Sequence, residues 1–185
     1  MIIEQDWHTF DEIRNISQEN LEWNLLTLKP LLEIQSLTQA LEAIDTNFSV
    51  NLLDIGEVEQ CATTILNTPL ISAPFFCRRV ELHLSGTPVI YAESLCSLDA
   101  TDWQAYLNCG NLSLGKKLFG KDSTIPRSAF TYKYFSTETL PFLTTEQTLN
   151  NIKTIIARKS YFSINDKKIL LIEWYLPTLI ANYTM

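Results

Sequence analysis

Two stretches decide the fold: RRVELHLSGTPVIYAESLC, running from Arg78 to Cys96, and RKSYFSINDKKILLIEWYLP, from Arg158 to Pro177. Each alternates apolar and polar residues on either side of a turn pair, Ser85-Gly86 in the first and Asn165-Asp166 in the second. That is the pattern of a β-hairpin with a two-residue loop. Each also begins on an arginine and carries a glutamate fifteen positions later, Glu93 after Arg78 and Glu173 after Arg158. A two-residue loop midway between them sets the arginine directly across from the glutamate in both hairpins.

Alternation assigns the neighbours of each charge. Arg78 shares a face with Val80, Leu82, Leu84, Val89 and Tyr91, and Glu173 shares one with Phe162, Ile164, Ile169 and Leu171. These are the core-facing sides. The other side of the first hairpin carries Arg79, Glu81 and His83, which belong in water; in the second it mixes Lys159, Tyr161 and Lys168 with Leu170, Ile172 and Trp174. Charges therefore stand on apolar faces, where they are rare unless paired or functional. One reading is a cross-strand clasp at each hairpin end, worth roughly 0.2–1 kcal/mol. The other is a polar pocket against the sheet, since desolvation makes two buried ion pairs poor stabilisers.

The rest of the chain supplies helices around these hairpins. Leu21, Leu25, Leu28 and Leu32 recur at helical spacing over Gln18 to Ile44, with an interruption at Pro30 and a restart capped by Ser36. Phe48 to Gln60 reads as a strand. Asp99 to Leu107 and Leu112 to Gly120 read as short helices, and a further helix is expected between Thr139 and Ile152. No linker, low-complexity tract or charge block divides the sequence. The expectation is one α+β domain over residues 1–185, an antiparallel β-sheet with helices packed against it.

Composition narrows the function. Hydrophobic residues make up 46% and charged residues 19%, as in a packed globular protein. Fourteen basic and 21 acidic residues give a net charge of -7, which argues against nucleic acid as a partner. An anionic ligand would need a specific arginine. Cys61, Cys77, Cys96 and Cys109 form no CxxC pair and read as reduced thiols in a reducing compartment. The start, MIIEQDWHTFDEIRN, lacks the marks of a signal or transit peptide, and no apolar run approaches a membrane span of ~20 residues. A cytoplasmic monomer is expected.

Other motifs carry less. His8 and His83 are the two histidines, too few for a His-based zinc site. Gly115-Lys116-Lys117 lacks the upstream glycine and trailing Ser/Thr of a P-loop. Neither Ser113 nor Cys77 has a histidine partner suited to nucleophilic catalysis. Phe75, Phe76, Tyr132, Tyr134 and Phe135 read as core, and His83 as surface.

From about Leu21 to the C-terminus the sequence resembles the chorismate lyase family. The landmarks are Ser36-Leu37-Thr38, Phe48-Ser49-Val50, Gly56, Arg78, Gly86-Thr87-Pro88, Leu114-Gly115, Leu118-Phe119, Ser123-Thr124, Arg127, Arg158-Lys159-Ser160 and the closing Leu170-Leu171-Ile172-Glu173-Trp174-Tyr175-Leu176-Pro177. The resemblance implies helical flaps closing over an internal ligand site. It also implies a cofactor-free, metal-free conversion of chorismate to 4-hydroxybenzoate and pyruvate, a first step toward a quinone ring such as plastoquinone or ubiquinone. An organelle-encoded copy would work in the plastid stroma.

Carried over by position, the family's ligand contacts fall on Leu37, Arg78, Leu114 and Glu173. Leu37 and Leu114 are flap residues expected to act through backbone N–H groups, Leu37 standing where Met is frequent. Arg78 and Glu173 are the implied catalytic pair, one for a carboxylate and one for the ring hydroxyl. Glu93 departs from the family, where Arg can stand, and would reverse a charge beside the pocket. The alternative is the effector-binding domain of GntR-type regulators, which resembles this chain at Arg78, Gly86-Thr87-Pro88 and Glu93. A regulator would bring a basic winged helix, for which the residues before Gln18 leave no room.

Overall fold

A computed structural model of the chain describes residues 7–16, 19–62, 73–119, 124–143 and 152–183. Its centre is a six-stranded, fully antiparallel sheet in the order β1-β2-β3-β6-β5-β4. The strands are β1 (Ser49–Val58), β2 (Phe75–Leu84), β3 (Thr87–Ser97), β4 (Thr131–Ser136), β5 (Thr154–Ile164) and β6 (Lys167–Tyr175). The two hairpins form the middle of the sheet, joined where β3 pairs with β6. Ser85 and Gly86 have φ of 46° and 82°, and Asn165 and Asp166 have 47° and 63°. Positive φ at both loop residues matches the right-handed twist of the strands and explains the tight turns.

Among the described residues six helices surround the sheet: α1 (Phe10–Ile16), α2 (Glu19–Glu33), α3 (Leu37–Ile44), α4 (Thr101–Leu107), α5 (Leu114–Leu118) and α6 (Pro177–Tyr183). Both faces of the central strands are covered. Ile90, Ala92 and Ser94 are buried on one side of β3, and Val89, Tyr91 and Glu93 on the other. Likewise the mixed face of the second hairpin is no water side, because Leu170, Ile172 and Trp174 are all buried there. Trp174 packs among Tyr91, Phe135 and Phe142, with ring centroids 5.2–6.0 Å apart.

Two local expectations change. Pro30 does not interrupt its helix, and α2 runs on to Glu33. Proline costs a single backbone bond this close to the end, while buried Leu25, Leu28 and Leu32 hold the helix down. Its last carbonyls are satisfied from the sheet: Tyr175 and Tyr132 hydroxyls donate to Leu31 and Leu32, at 2.9 and 3.2 Å. The helix expected between Thr139 and Ile152 falls largely outside the described residues. None of the four cysteines forms a disulfide, and all four are buried. Among the described residues no helix is long and apolar enough to cross a membrane.

Candidate active site

One face of the central sheet forms the floor of a cavity. Strand β2 contributes Arg78, Val80 and Leu82, β3 contributes Ala92 and Ser94, and β6 and β5 contribute Leu171, Glu173 and Arg158. The roof is the start of α3, with Leu37 and Thr38, and α5, with Leu114, Gly115 and Leu118. About 500 Å³ of empty space lies between, including the mouth. Small residues on β3 leave this room, where larger side chains would fill it. Leu37, Arg78, Leu114 and Glu173 all line the cavity.

The second hairpin has the expected register, with Arg158 across from Glu173. The first does not. Leu84 pairs with Thr87 and His83 with Pro88, but Leu82 pairs with Ile90, so Val89 is an extra residue in β3. Beyond this bulge the register moves by one, and Arg78 faces Ser94 while Arg79 faces Glu93. Glu93 therefore lies on the far side of the sheet and not beside the pocket. Its carboxylate accepts from the Ala62 amide at 3.0 Å and the Tyr91 hydroxyl at 2.9 Å, with Arg79 Nε at 3.8 Å. Bulges favour proline and turn-proximal sites, so Pro88 was the available signal.

The charges on the cavity face are held unequally. Arg78, 2% exposed, donates from Nη2 to the carbonyls of Gly110 and Leu112, both at 3.0 Å, while its buried Nε has no partner among the described residues. Burial lowers its pKa from the usual arginine value. Arg158 donates from Nε and Nη2 to the two oxygens of Glu173, at 2.6 and 3.2 Å. Its Nη1 donates to the carbonyls of Leu31, Leu32 and Ile34 at 2.8–3.1 Å. Burial is the largest single influence and would lower the Arg158 pKa, but the charge and hydrogen bonding of Glu173, with Tyr175 and Tyr132, together raise it.

The two roof helices start alike. Ser36 caps α3, its Oγ accepting from Gln39 N, and Ser113 caps α5, its Oγ accepting from Lys116 N. Leu37 and Leu114 are thus each the first residue of a capped helix, where the N–H has no partner within the helix. The helices also touch: Ser113 Oγ donates to Thr38 Oγ1 at 2.9 Å, and Lys116 Nζ lies 2.6 Å from Glu42 Oε1. That contact, with Lys117 donating to the Tyr106 carbonyl, accounts for the Gly-Lys-Lys segment without a phosphate.

Arg127 was legible as a landmark but not as a cavity residue. It sits in an irregular segment with no periodicity to orient it, yet its guanidinium reaches the cavity beside Glu173. Arg158 likewise emerges as the partner that fixes Glu173.

The cavity thus joins a sheet floor that carries arginines and an ion-paired glutamate to a roof of two capped helices. The profile of the chorismate lyase family matches residues 3–184, and the chain belongs to that family of enzymes. It is 28% identical over 177 residues to a probable chorismate pyruvate-lyase of Shewanella sp. (strain ANA-3), covering 94% of this chain and 89% of that one. A protein of the same name from Pseudoalteromonas translucida (strain TAC 125) is 29% identical over 175 residues, covering 93% and 92%. Among solved structures, the effector domain of PhnF from Mycobacterium smegmatis aligns with a TM-score of 0.49 at 13% identity, over 76% of this chain and 88% of that one.

Proposed function

We propose that this protein converts chorismate to 4-hydroxybenzoate and pyruvate. The observation that carries the reading is the pairing of unlike poles across one cavity. Arg78 stands on β2 and Glu173 on β6, with Ala92 and Ser94 of β3 between them. Two strand spacings separate the poles by roughly 10 Å, a span suited to a ring with a carboxylate at one end and a hydroxyl at the other. Arg78 offers a fork of donors for the ring carboxylate, and the first N–H groups of α3 and α5 can add to it. Glu173 spends one acceptor position per oxygen on Arg158 and retains others for the 4-hydroxyl.

In the reaction the C3–O ether bond breaks, the C4 hydrogen leaves as a proton, and the ring becomes aromatic. The departing enolpyruvate takes up a proton to become pyruvate. Aromatisation supplies the driving force, so the site has to grip and orient rather than provide a metal or redox group. The product would enter the building of a quinone ring, in the cytoplasm or a plastid stroma, with the protein acting as a monomer.

The test is to mix purified protein with chorismate and follow both products. Equimolar 4-hydroxybenzoate and pyruvate, formed at a rate that EDTA does not reduce, are expected. Tight binding of the ring acid with no pyruvate released would overturn the reading in favour of an effector-binding module.

A further inference from the structure

Among the described residues, four charged side chains line the cavity: Arg78, Arg127, Arg158 and Glu173. Arg158 is committed to Glu173 through both carboxylate oxygens. The lining thus has two positive charges to spare, inside a chain of net charge -7. Arg78 supplies one of them and Arg127 the other.

Arg127 is built as a ligand-holding group. Its side chain is 6% exposed, its Nε donates to Ser160 Oγ at 3.0 Å, and its Nη1 donates to the Gln35 carbonyl. Three aromatic rings surround the guanidinium, Phe130 at 4.1 Å, Phe162 at 4.8 Å and Phe119 at 5.2 Å. With the plane fixed, Nη2 lies 3.9 Å from Glu173 Oε2, beyond hydrogen-bond distance. That nitrogen makes no hydrogen bond among the described residues. A charged donor on a mostly buried side chain that lines the cavity, left without a hydrogen bond there, suits an anion. Burial brings its pKa down to about 10, which leaves it charged at neutral pH.

We propose that Arg127 binds the second carboxylate of a dianionic substrate, the one on the ether side chain next to the ring hydroxyl. The proposal rests on the lyase reading above. In chorismate that ether leaves the carbon adjacent to the one bearing the hydroxyl. A hydroxyl held at Glu173 therefore brings the side-chain carboxylate toward Arg127, while the ring carboxylate reaches Arg78. Two spare positive charges then meet two negative ones. The ring product carries a single carboxylate and makes no use of Arg127, so this arginine favours substrate over product.

The experiment compares wild type with Arg127→Met, which keeps the stem among the phenyl rings, and with Arg127→Lys, which keeps the charge. Two non-reacting probes are titrated against each: 4-hydroxybenzoate, with one carboxylate, and 3-(carboxymethoxy)-4-hydroxybenzoate, with two. Arg127→Met should weaken the two-carboxylate probe roughly ten- to a hundred-fold, the worth of a charge-assisted hydrogen bond, and shift the other by less than about three-fold. Arg127→Lys should recover part of the loss, and KM for chorismate should follow the two-carboxylate probe. Equal weakening of both probes would overturn the proposal, since it would make Arg127 a scaffold for the whole site. No weakening of either would overturn it too. A wild type that prefers the two-carboxylate probe through Arg127 but releases no pyruvate would keep the subsite and remove the lyase reading.

Discussion

Arg158 grips Glu173 by both carboxylate oxygens and uses its remaining nitrogen to hold the last carbonyls of α2. The negative pole of the cavity is thereby tied to the helix that leads into Ser36 and Leu37. Removing one partner of a buried pair leaves an uncompensated charge, a loss of about 3–5 kcal/mol. Arg158→Met should lower the urea midpoint accordingly. Arg158→Met combined with Glu173→Leu should recover much of that stability while abolishing turnover. A double variant no more stable than the single one would show that the helix carbonyls, not the orphaned carboxylate, dominate the cost.

Arg78 stands in a different position: among the described residues no carboxylate pairs with it and its buried Nε lacks a partner. Arg78→Ala should reduce kcat/KM about ten- to a hundred-fold through loss of an anion contact. Melting temperature should move by a few degrees at most, because two carbonyl bonds are lost while the cost of a desolvated charge is removed. Thermal melts and initial rates on the same preparation test this. A variant that melts early yet keeps its activity per folded molecule would make Arg78 a clasp for the loop before α5.

The roof contact can be tested at Gly115, where an added Cβ would meet Thr38 Oγ1 at 2.9 Å. Gly115→Ala should push α5 away from α3 and raise the inhibition constant of 4-hydroxybenzoate several-fold, as expected when closure of a lid is impaired. Thr38→Ala in the same chain removes the obstructing oxygen and should restore part of the inhibition. If Gly115→Ala leaves inhibition unchanged, closeness of the two helices does not govern retention of the ring acid.

Lys159 gives a pH signature on the far side of the sheet. Burial, and then the neighbouring Lys133, bring its pKa from lysine's usual 10.5 down to about 8, with Nζ 4.5 Å from the Trp7 ring centre. Between about pH 8 and 10.5 the unfolded chain keeps a proton there that the folded chain has lost, so this group adds stability as pH rises through that window. Below pH 8 the full cost remains. Lys159→Met should therefore be the more stable form at pH 7, with the difference shrinking by pH 10 in urea titrations. A difference independent of pH would rule out the titration of Lys159 as its cause.

Much of this was readable before any coordinates. The second hairpin obeys strict alternation from Thr154 to Tyr175, so its register and the Arg158–Glu173 pairing follow from the turn alone. In the first hairpin the same logic fails at Val89, because a bulge adds a residue without altering the alternating look of the sequence. Leu37 and Leu114 were placed by family likeness, since an N–H donor at a helix start leaves no mark in hydrophobic spacing. Arg127 lay in a coil, where nothing in a side-chain pattern says which way a residue points. Burial on both faces of the second hairpin was hidden by Lys159 and Lys168, long side chains that can cover apolar surface while reaching for water.

The extra residue at Val89 also sorts charge between the two sides of the sheet. Parity decides which side of a strand a residue occupies, so one inserted position reverses every assignment beyond it. Had β3 kept the register set by its turn, Tyr91 and Glu93 would face the cavity, replacing a floor of Ala92 and Ser94. The space would be filled by a phenol, and a second carboxylate would oppose incoming anions. The carbonyl at Val89 accepts instead from Leu176 N at 2.9 Å, at the entrance to α6. Exchange of Arg for Glu at position 93 thus places no carboxylate on the cavity side, provided the insertion upstream is kept. Loss of that single residue would convert a neutral replacement into an inhibitory one.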